Sequence, residues 1–255
     1  MATTLAHPLP FKVLTVNAHK GFTALNRRFV LHELREAVRS VSADLVFLQE
    51  VLGTHASHSM RFSNWPDAPQ YEFLADSMWP AFAYGRNAVY PAGHHGNALL
   101  SKWPILRYRN HDVSVAGPEK RGLLHCVLQA PDGRSQVHAI CVHLALWERQ
   151  RRQQVDLLCR MIDCEVPQDA ALIVAGDFND WRLQVHRRLV QCARLNEVFV
   201  AAHGQPARSF PARWPLLRVD RIYVRNAAAH EPIVLPRRPW THLSDHAPLA
   251  AEIEL

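Results

Sequence analysis

The sequence lacks several features that would assign it to a membrane or secreted class. It has no apolar run of about 18 residues, the length that a transmembrane helix needs, so no membrane span is predicted. Residues 1–10 lack the basic and apolar blocks of a secretory signal peptide, and we expect them to form a flexible N-terminus. The five cysteines are an odd number without a CxxC pair, which disfavours a disulfide framework and a structural zinc site. These absences predict a cytoplasmic protein.

The composition is that of a folded domain with an excess of arginine. Of 255 residues, 48% are apolar and 20% are charged, which suffices for a full core and excludes a disordered chain. We expect one domain over residues 1–255. The net charge is +6, and residues 205–240 carry seven arginines against Asp220 and Glu231. Arginine grips phosphate oxygens, which favours a phosphate-bearing partner, although an arginine-preferring genome explains the composition equally well.

Strand patterns outnumber helical ones. Strands are predicted at Phe11–Asn17, Asp44–Gln49, Gly96–Ser101, Arg107–Val115, Gly122–Ala130, Ser135–Val142, Ala171–Ala175, Arg218–Val224 and Leu249–Ile253. Amphipathic helices are predicted at Asn26–Val41, Trp147–Ile162 and Arg182–Ala193. Because the sheets need cover on their outer faces, we predict a layered α/β sandwich of mixed sheets with helices outside.

Polar side chains recur where the predicted strands end. They are Asn17, Glu50, His143, Asp177, Asn179, Asp220, Asp245 and His246. Ends of neighbouring strands converge at one edge of a sheet, where sites are commonly built. Carboxylate and amide oxygens are hard ligands that suit Mg²⁺ or Mn²⁺. Taken singly, each residue has a plainer interpretation as a turn former or a hydrogen-bonded polar residue.

The order of these residues provides the stronger signal. Seven motifs occur between Val13 and Leu249, namely TVNAHKG, LQEV, GNALLSKWPI, VHL, GDFND, VDRIYV and SDHAPL. In this order they resemble the endonuclease/exonuclease/phosphatase superfamily, which includes DNase I, abasic endonucleases, bacterial sphingomyelinases and inositol polyphosphate 5-phosphatases. The resemblance implies a four-layer α/β-β/α sandwich and divalent-metal-dependent cleavage of phosphoester bonds.

The same resemblance implies ligands for the metal and a residue that activates water. Glu50 matches the family's principal metal ligand, Asn17 its neighbour, and Asp245 a further ligand of the metal region. Asp177 matches the acid that orients or deprotonates the attacking water, and Asn179 the residue that contacts the scissile phosphate.

Three further residues are implied to act on the phosphate. His246 matches the histidine on the phosphate, and Asp220 the carboxylate paired with it. His143 matches a histidine of the DNase, sphingomyelinase and 5-phosphatase branches, where abasic endonucleases use tyrosine. If His143 has no acidic partner, its pKa is expected near the ordinary value of about 6.5, and a neighbouring carboxylate would raise it.

The chain also departs from the common family pattern. His19 and Lys20 stand after Asn17, where DNA-repair members carry an acid. The stretch expected to supply the partner of His143 holds His94 and His95 instead. These segments resemble a bacterial subgroup, and the resemblance leaves its substrate open.

We therefore expect a metal-dependent phosphodiesterase that acts on nucleic acid or on phospholipid. The basic segment with Trp214 and Trp240 favours nucleic acid, whereas residues 60–65 and 77–82 are candidates for peripheral membrane contact. The alternatives are a phosphomonoesterase of the inositol-phosphate type and a non-catalytic phosphate-binding protein of the same fold.

Overall fold

The computed structural model describes residues 10–24 and 27–255. Within these residues it contains twelve strands, namely β1 (Phe11–Asn17), β2 (Leu45–His55), β3 (Ala81–Tyr90), β4 (Gly93–Ser101), β5 (Ile105–Asp112), β6 (Gly122–Gln129), β7 (Gln136–His143), β8 (Ala171–Asp177), β9 (Asn196–Glu197), β10 (Asp220–Arg225), β11 (Ala228–Val234) and β12 (Leu249–Glu254). The α-helices are α1 (Leu31–Val41), α2 (His58–Arg61), α3 (Gln70–Ala75), α4 (Glu148–Glu165), α5 (Gln184–Ala193), α6 (Val198–His203) and α7 (Arg237–Trp240), and a short 3-10 helix spans His19–Gly21.

The strands form two six-stranded sheets of mixed direction. The first has the order β11-β12-β1-β2-β4-β3, and the second has the order β5-β6-β7-β8-β10-β9. Each sheet has one central parallel pair, β1 with β2 and β7 with β8. A parallel pair requires a crossover, which α1 provides in the first sheet and α4 in the second. The carboxyl ends of each pair therefore lie at one edge of its sheet.

Three apolar layers hold the sheets and helices together. Leu45 and Phe47 of β2 belong to the core between the two sheets, where they meet Leu124 and Cys126 of β6. Leu34 of α1 belongs to the layer outside the first sheet. The corresponding layer outside the second sheet is formed by α4 and α5. The observed architecture is the expected four-layer sandwich.

Some elements differ from the sequence-based prediction. Strands β3 and β11 were not predicted, because both are edge strands with many exposed residues and no clean alternation. Helix α1 begins at Leu31 rather than at Asn26, and Asn26 lies outside the described residues. The expected flexible N-terminus also falls outside them for residues 1–9.

Of the four aromatic side chains in the two stretches considered for membrane contact, three pack into the fold and Phe82 is exposed. Trp79 is fully buried and donates from Nε1 to the carbonyl of Ala43, so it belongs to the core. Phe62 and Trp65 pack against the layer outside the first sheet, whereas Met60 is exposed. No helix among the described residues is long and apolar enough to cross a membrane.

One disulfide departs from the expectation from cysteine spacing. Cys159 of α4 and Cys192 of α5 are bonded across 33 residues, while Cys126, Cys141 and Cys164 are free. The pair lies on two helices packed side by side, a contact that spacing along the chain does not reveal.

We predict that replacing both Cys159 and Cys192 by alanine lowers the free energy of unfolding. Closing a loop of this length restricts the unfolded chain and contributes about 3–4 kcal/mol in the chain-entropy description. Urea unfolding of the oxidised protein and the double variant measures the difference. Cys164→Ala, at a free exposed cysteine, is the matched control and should leave the midpoint unchanged. Equal midpoints for all three proteins would contradict the prediction.

Candidate active site

Strand register brings three of the candidate residues together in the second sheet. His143 at the end of β7 is opposite Asp177 at the end of β8, and Asp177 is opposite Asp220 at the start of β10. Asp177 therefore lies between the other two, with its Oδ2 3.6 Å from His143 Nε2. All three residues are buried. His246 approaches the same carboxylate oxygen, because its Nε2 lies 3.9 Å from Asp177 Oδ2.

Asn17 connects this group to the first sheet. Its Nδ2 lies 3.5 Å from Asp177 Oδ2, although 160 residues separate the two in sequence. The carbonyl of Asn17 accepts a hydrogen bond from Ser244 Oγ, and Ser244 Oγ in turn accepts one from the backbone N–H of His246. The last loop of the chain is thereby fixed against the end of β1.

A bulge in β2 directs Glu50 into the cleft. Leu48 pairs with Ala98 and Val51 with Gly96, so two residues of β2 stand opposite one residue of β4. Glu50 has a φ of 54°, a left-handed conformation that is strained for a side chain other than glycine. Bulges of this kind often lie next to active sites, where they redirect a side chain.

The cation of Lys20 lies against Glu50. Lys20 Nζ donates to Glu50 Oε2 at 3.0 Å. Burial acts to raise the pKa of Glu50, but the Lys20 ammonium and the protonated forms of His143 and His19 hold it well below its usual range. The buried Gln70 fixes this contact, because its amide donates to the Lys20 carbonyl and its oxygen accepts from Leu52 N–H. Glu50 is therefore ionised and paired with a cation.

His246 and Asp220 form an ion pair at the floor of the cleft. His246 Nδ1 lies 2.8 Å from Asp220 Oδ2. Burial alone would lower the pKa of His246, but the charge and hydrogen bond of Asp220, with Asp177 and Asp245 nearby, raise it to about 10. His246 is therefore a cation at neutral pH.

The two other titratable groups at the centre shift toward their neutral forms. Burial raises the pKa of Asp177 to about 7, with His246 acting against the shift and Asp220 for it. Burial, together with the charge of Arg121, lowers the pKa of His143 well below its ordinary value. The charge of Glu50 acts to raise the pKa of His143, as expected of a neighbouring carboxylate, but burial outweighs this effect.

The remaining candidates line the same cleft. Asn179 has a positive φ, its backbone N–H donates to Asp177 Oδ1 at 2.9 Å, and its Nδ2 donates to the Leu144 carbonyl. Asp245 Oδ1 lies 3.2 Å from His19 Nδ1. His94 instead meets Tyr84 on the first sheet, with 2.9 Å between Nδ1 and the hydroxyl.

The mouth of the cleft contains residues that the sequence did not single out as a group. Arg121, Leu146, Trp181, Phe210 and Leu217 line it together with the candidates. Leu146 and Trp181 are partly exposed, and the Phe210 ring lies 4.9 Å from that of His246. The charged floor thus opens through an apolar and aromatic rim.

The basic segment divides between structural and surface arginines. Arg221 is fully buried, lies 3.7 Å from Asp180, and donates to the Asp180 carbonyl. Arg225 is also buried and donates to the Pro167 carbonyl. Arg237 remains at the surface, where its guanidinium lies 5.1 Å from the ring of exposed Trp214. Trp240, by contrast, is buried.

We predict that Asp220→Asn lowers the pKa of His246 by about 1–3 pH units, because the variant lacks the carboxylate charge that favours the protonated ring. Nitrogen-15 NMR titration of the ring measures this pKa. His138, whose pKa burial lowers to about 4, is the internal reference and should not change.

The same change has a consequence for stability. The folded pKa of His246 is raised, so its stabilisation is complete below the unfolded value of about 6.5 and is lost as pH rises through about 10. Asp220→Asn should thus cost more free energy of unfolding at pH 6 than above pH 10. An equal cost at both would show that the ion pair does not set this pKa.

Comparison with known proteins assigns the family. The model of the Endonuclease/Exonuclease/phosphatase family matches residues 14–246. The uncharacterized protein YbhP of Escherichia coli strain K12 is 59% identical over 245 residues, which cover 96% of each chain.

Solved structures agree at the level of the fold. The chain resembles TDP2 of D. rerio complexed with a single-strand DNA product, with a TM-score of 0.71, 16% identity, and 96% of this chain and 99% of that one covered. It also resembles a mannosyl-6-phosphatase of Bacteroides thetaiotaomicron, with a TM-score of 0.71, 15% identity, and coverage of 95% and 99%. The chain therefore belongs to the Endonuclease/Exonuclease/phosphatase family, because the model of that family matches residues 14–246 and the fold agrees with it.

Proposed function

We propose that the protein is a divalent-metal-dependent phosphodiesterase that hydrolyses nucleic acid. The observation that carries the proposal is the position of Asp177. Its carboxylate lies between two histidines, 3.6 Å from His143 and 3.9 Å from His246, at the floor of a cleft that also holds Glu50. Hydrolysis of a phosphoester needs an oriented water and positive charge around the phosphate oxygens, and this group of residues can supply both.

The residues around Glu50 fit a magnesium or manganese ion. Asn17, Glu50 and Asp245 offer oxygen ligands, which are the donors that these ions prefer. Asp245 Oδ1 is buried and lies 3.2 Å from His19 Nδ1, in a contact that lacks the geometry of a hydrogen bond. The carboxylate of Glu50 already holds one cation, the Lys20 ammonium. When bound, a divalent ion supplies charge neutralisation for the phosphate and the leaving oxygen.

In the proposed reaction, Asp177 orients the attacking water and accepts its proton. Its raised pKa strengthens it as a base. The backbone N–H of Asn179 fixes the other carboxylate oxygen. One N–H of the Asn179 amide is committed to Leu144, which leaves the second to donate to a phosphate oxygen.

The two histidines are assigned different roles because their charges differ. His246, cationic through Asp220, stabilises the negative charge that develops on the phosphate oxygens. His143 is neutral at neutral pH, so we assign it a hydrogen bond to the phosphate rather than protonation of the leaving group.

The rim of the cleft favours nucleic acid among phosphate-bearing substrates. Trp181 and Phe210 present aromatic surface on which a base can stack. The backbone N–H of Ala212 donates to the Asp245 carbonyl, which holds the loop carrying Trp214 beside the site. Arg237 covers the ring of Trp214 and adds positive charge.

The proposal is tested by a substrate screen with Mg²⁺ and with Mn²⁺. Single-stranded and duplex oligonucleotides, phosphatidylcholine and sphingomyelin vesicles, inositol phosphates and sugar phosphates should be compared at equal phosphate concentration. We expect the highest kcat/KM on oligonucleotides. A preference for a lipid or for a monoester would overturn the assignment of nucleic acid as substrate. Binding of every substrate without turnover would overturn the proposal that the protein is an enzyme.

We predict that Glu50→Gln weakens activation by the metal by about 10–100-fold or more, because a charged ligand is lost. The concentration of Mg²⁺ that gives half-maximal activity measures this effect. His230→Gln, at an exposed histidine that pairs with Glu254, is the control and should behave as wild type. Full turnover of the wild type in excess EDTA would contradict the prediction.

A second prediction concerns His143. Since the neutral ring does not protonate the leaving group, His143→Ala should lower kcat by a similar factor on an activated aryl phosphodiester and on an unactivated alkyl one. The loss expected when one hydrogen bond to the developing charge is removed is about 10²–10³-fold. A much smaller loss on the activated diester would instead assign His143 the role of general acid.

A further inference from the structure

Outside the cleft, a second group of metal-binding side chains lies on the helix-covered face of the second sheet. His111 of β5, His125 of β6 and Glu165 at the end of α4 each offer one ligand atom, and these atoms lie within 4.8 Å of one another. The cluster shares no residue with the candidate active site. From its geometry, we propose that His111, His125 and Glu165 bind one zinc ion or a similar divalent transition metal.

The distances between the donor atoms suit a tetrahedral ion. Glu165 Oε2 lies 3.2 Å from His111 Nε2 and 3.4 Å from His125 Nδ1. Two ligands that each lie about 2.0–2.1 Å from a tetrahedral zinc ion are about 3.3–3.4 Å apart. Two imidazoles and one carboxylate are also the donor types that zinc takes, with the fourth position left for water.

The position of the Glu165 carboxylate favours binding of a cation beside it. Glu165 is the last residue of α4, and the last turn of this helix contains no basic residue. A carboxylate there lies at the negative end of the helix dipole, which disfavours it unless a cation is near. Arg109 is exposed and stands 3.9 Å away, so it compensates this charge only weakly.

Each of the two histidines has a ring nitrogen that is placed to bind a metal ion. His111 Nε2 is buried, and its 3.2 Å contact with Glu165 Oε2 lacks the geometry of a hydrogen bond. His125 Nε2 lies 2.9 Å from His138 Nδ1, and both rings are buried. When His125 donates from Nε2 to His138, its Nδ1 lone pair faces Glu165. This is the arrangement in which a supporting hydrogen bond orients a metal-bound imidazole.

Zn²⁺ titration and NMR of tag-free protein test the proposal. A background with Glu50→Gln and His246→Gln removes two side chains of the candidate active site that could themselves bind Zn²⁺. In this background we expect one equivalent of Zn²⁺ to bind and to shift the ring nitrogens of His111 and His125. Adding His111→Gln or Glu165→Gln should weaken that binding at least 10-fold. Both positions are partly exposed, and circular dichroism confirms the fold before metal is added.

The exposed pair His230 and Glu254 supplies matched controls, because its Nε2 and Oε2 lie 2.9 Å apart without a second histidine. His230→Gln and Glu254→Gln should leave Zn²⁺ affinity unchanged. If the background variant fails to fold, the wild type should lose one equivalent of Zn²⁺ on His111→Gln. Equal Zn²⁺ binding in the cluster and control variants, or ring nitrogens that do not respond to Zn²⁺, would show that the cluster is only an ion pair.

Discussion

The cleft depends on one buried carboxylate that strands from both sheets hold in place. Asp177 ends β8, where its neighbours in register are His143 and Asp220 of the same sheet, and Asn17 reaches it from the other. This meeting requires both central parallel pairs to end at the same side of the sandwich. The helices α1 and α4, which cover opposite faces, make that arrangement possible, because each returns the chain for a second parallel strand.

Burying so many charges is tolerated because each has a partner of fixed geometry. His246 is held by Asp220, and Glu50 by Lys20. Directly behind the Asp177 turn, Asp180 accepts hydrogen bonds from the first N–H groups of α5 and lies near Arg221. Removing one member of such a pair leaves an unpaired charge, so these contacts keep the cleft in one conformation.

The sequence predicted the residues of the cleft better than their surroundings. Each candidate follows a local apolar run, and register then decides which of them meet, as it does for His143 and Asp177. Gln70 and Phe210 could not be found in this way, because each acts through a contact between distant parts of the chain. Gln70 contacts the 3-10 helix, and Phe210 contacts His246. The disulfide between Cys159 and Cys192 was missed for the same reason.

The strained backbone conformations of the site are the feature that sequence patterns predict least well. His19, Lys20, Glu50 and Asn179 all have positive φ values, and all four line the cleft. Each such conformation costs roughly 1–2 kcal/mol, so the surrounding structure must impose it. The hydrogen bond from His19 N–H to Asn17 Oδ1, the bridge through Gln70 and the bond from Asn179 N–H to Asp177 provide this restraint. The polar network that positions the charged groups therefore also maintains the unfavourable backbone from which they project.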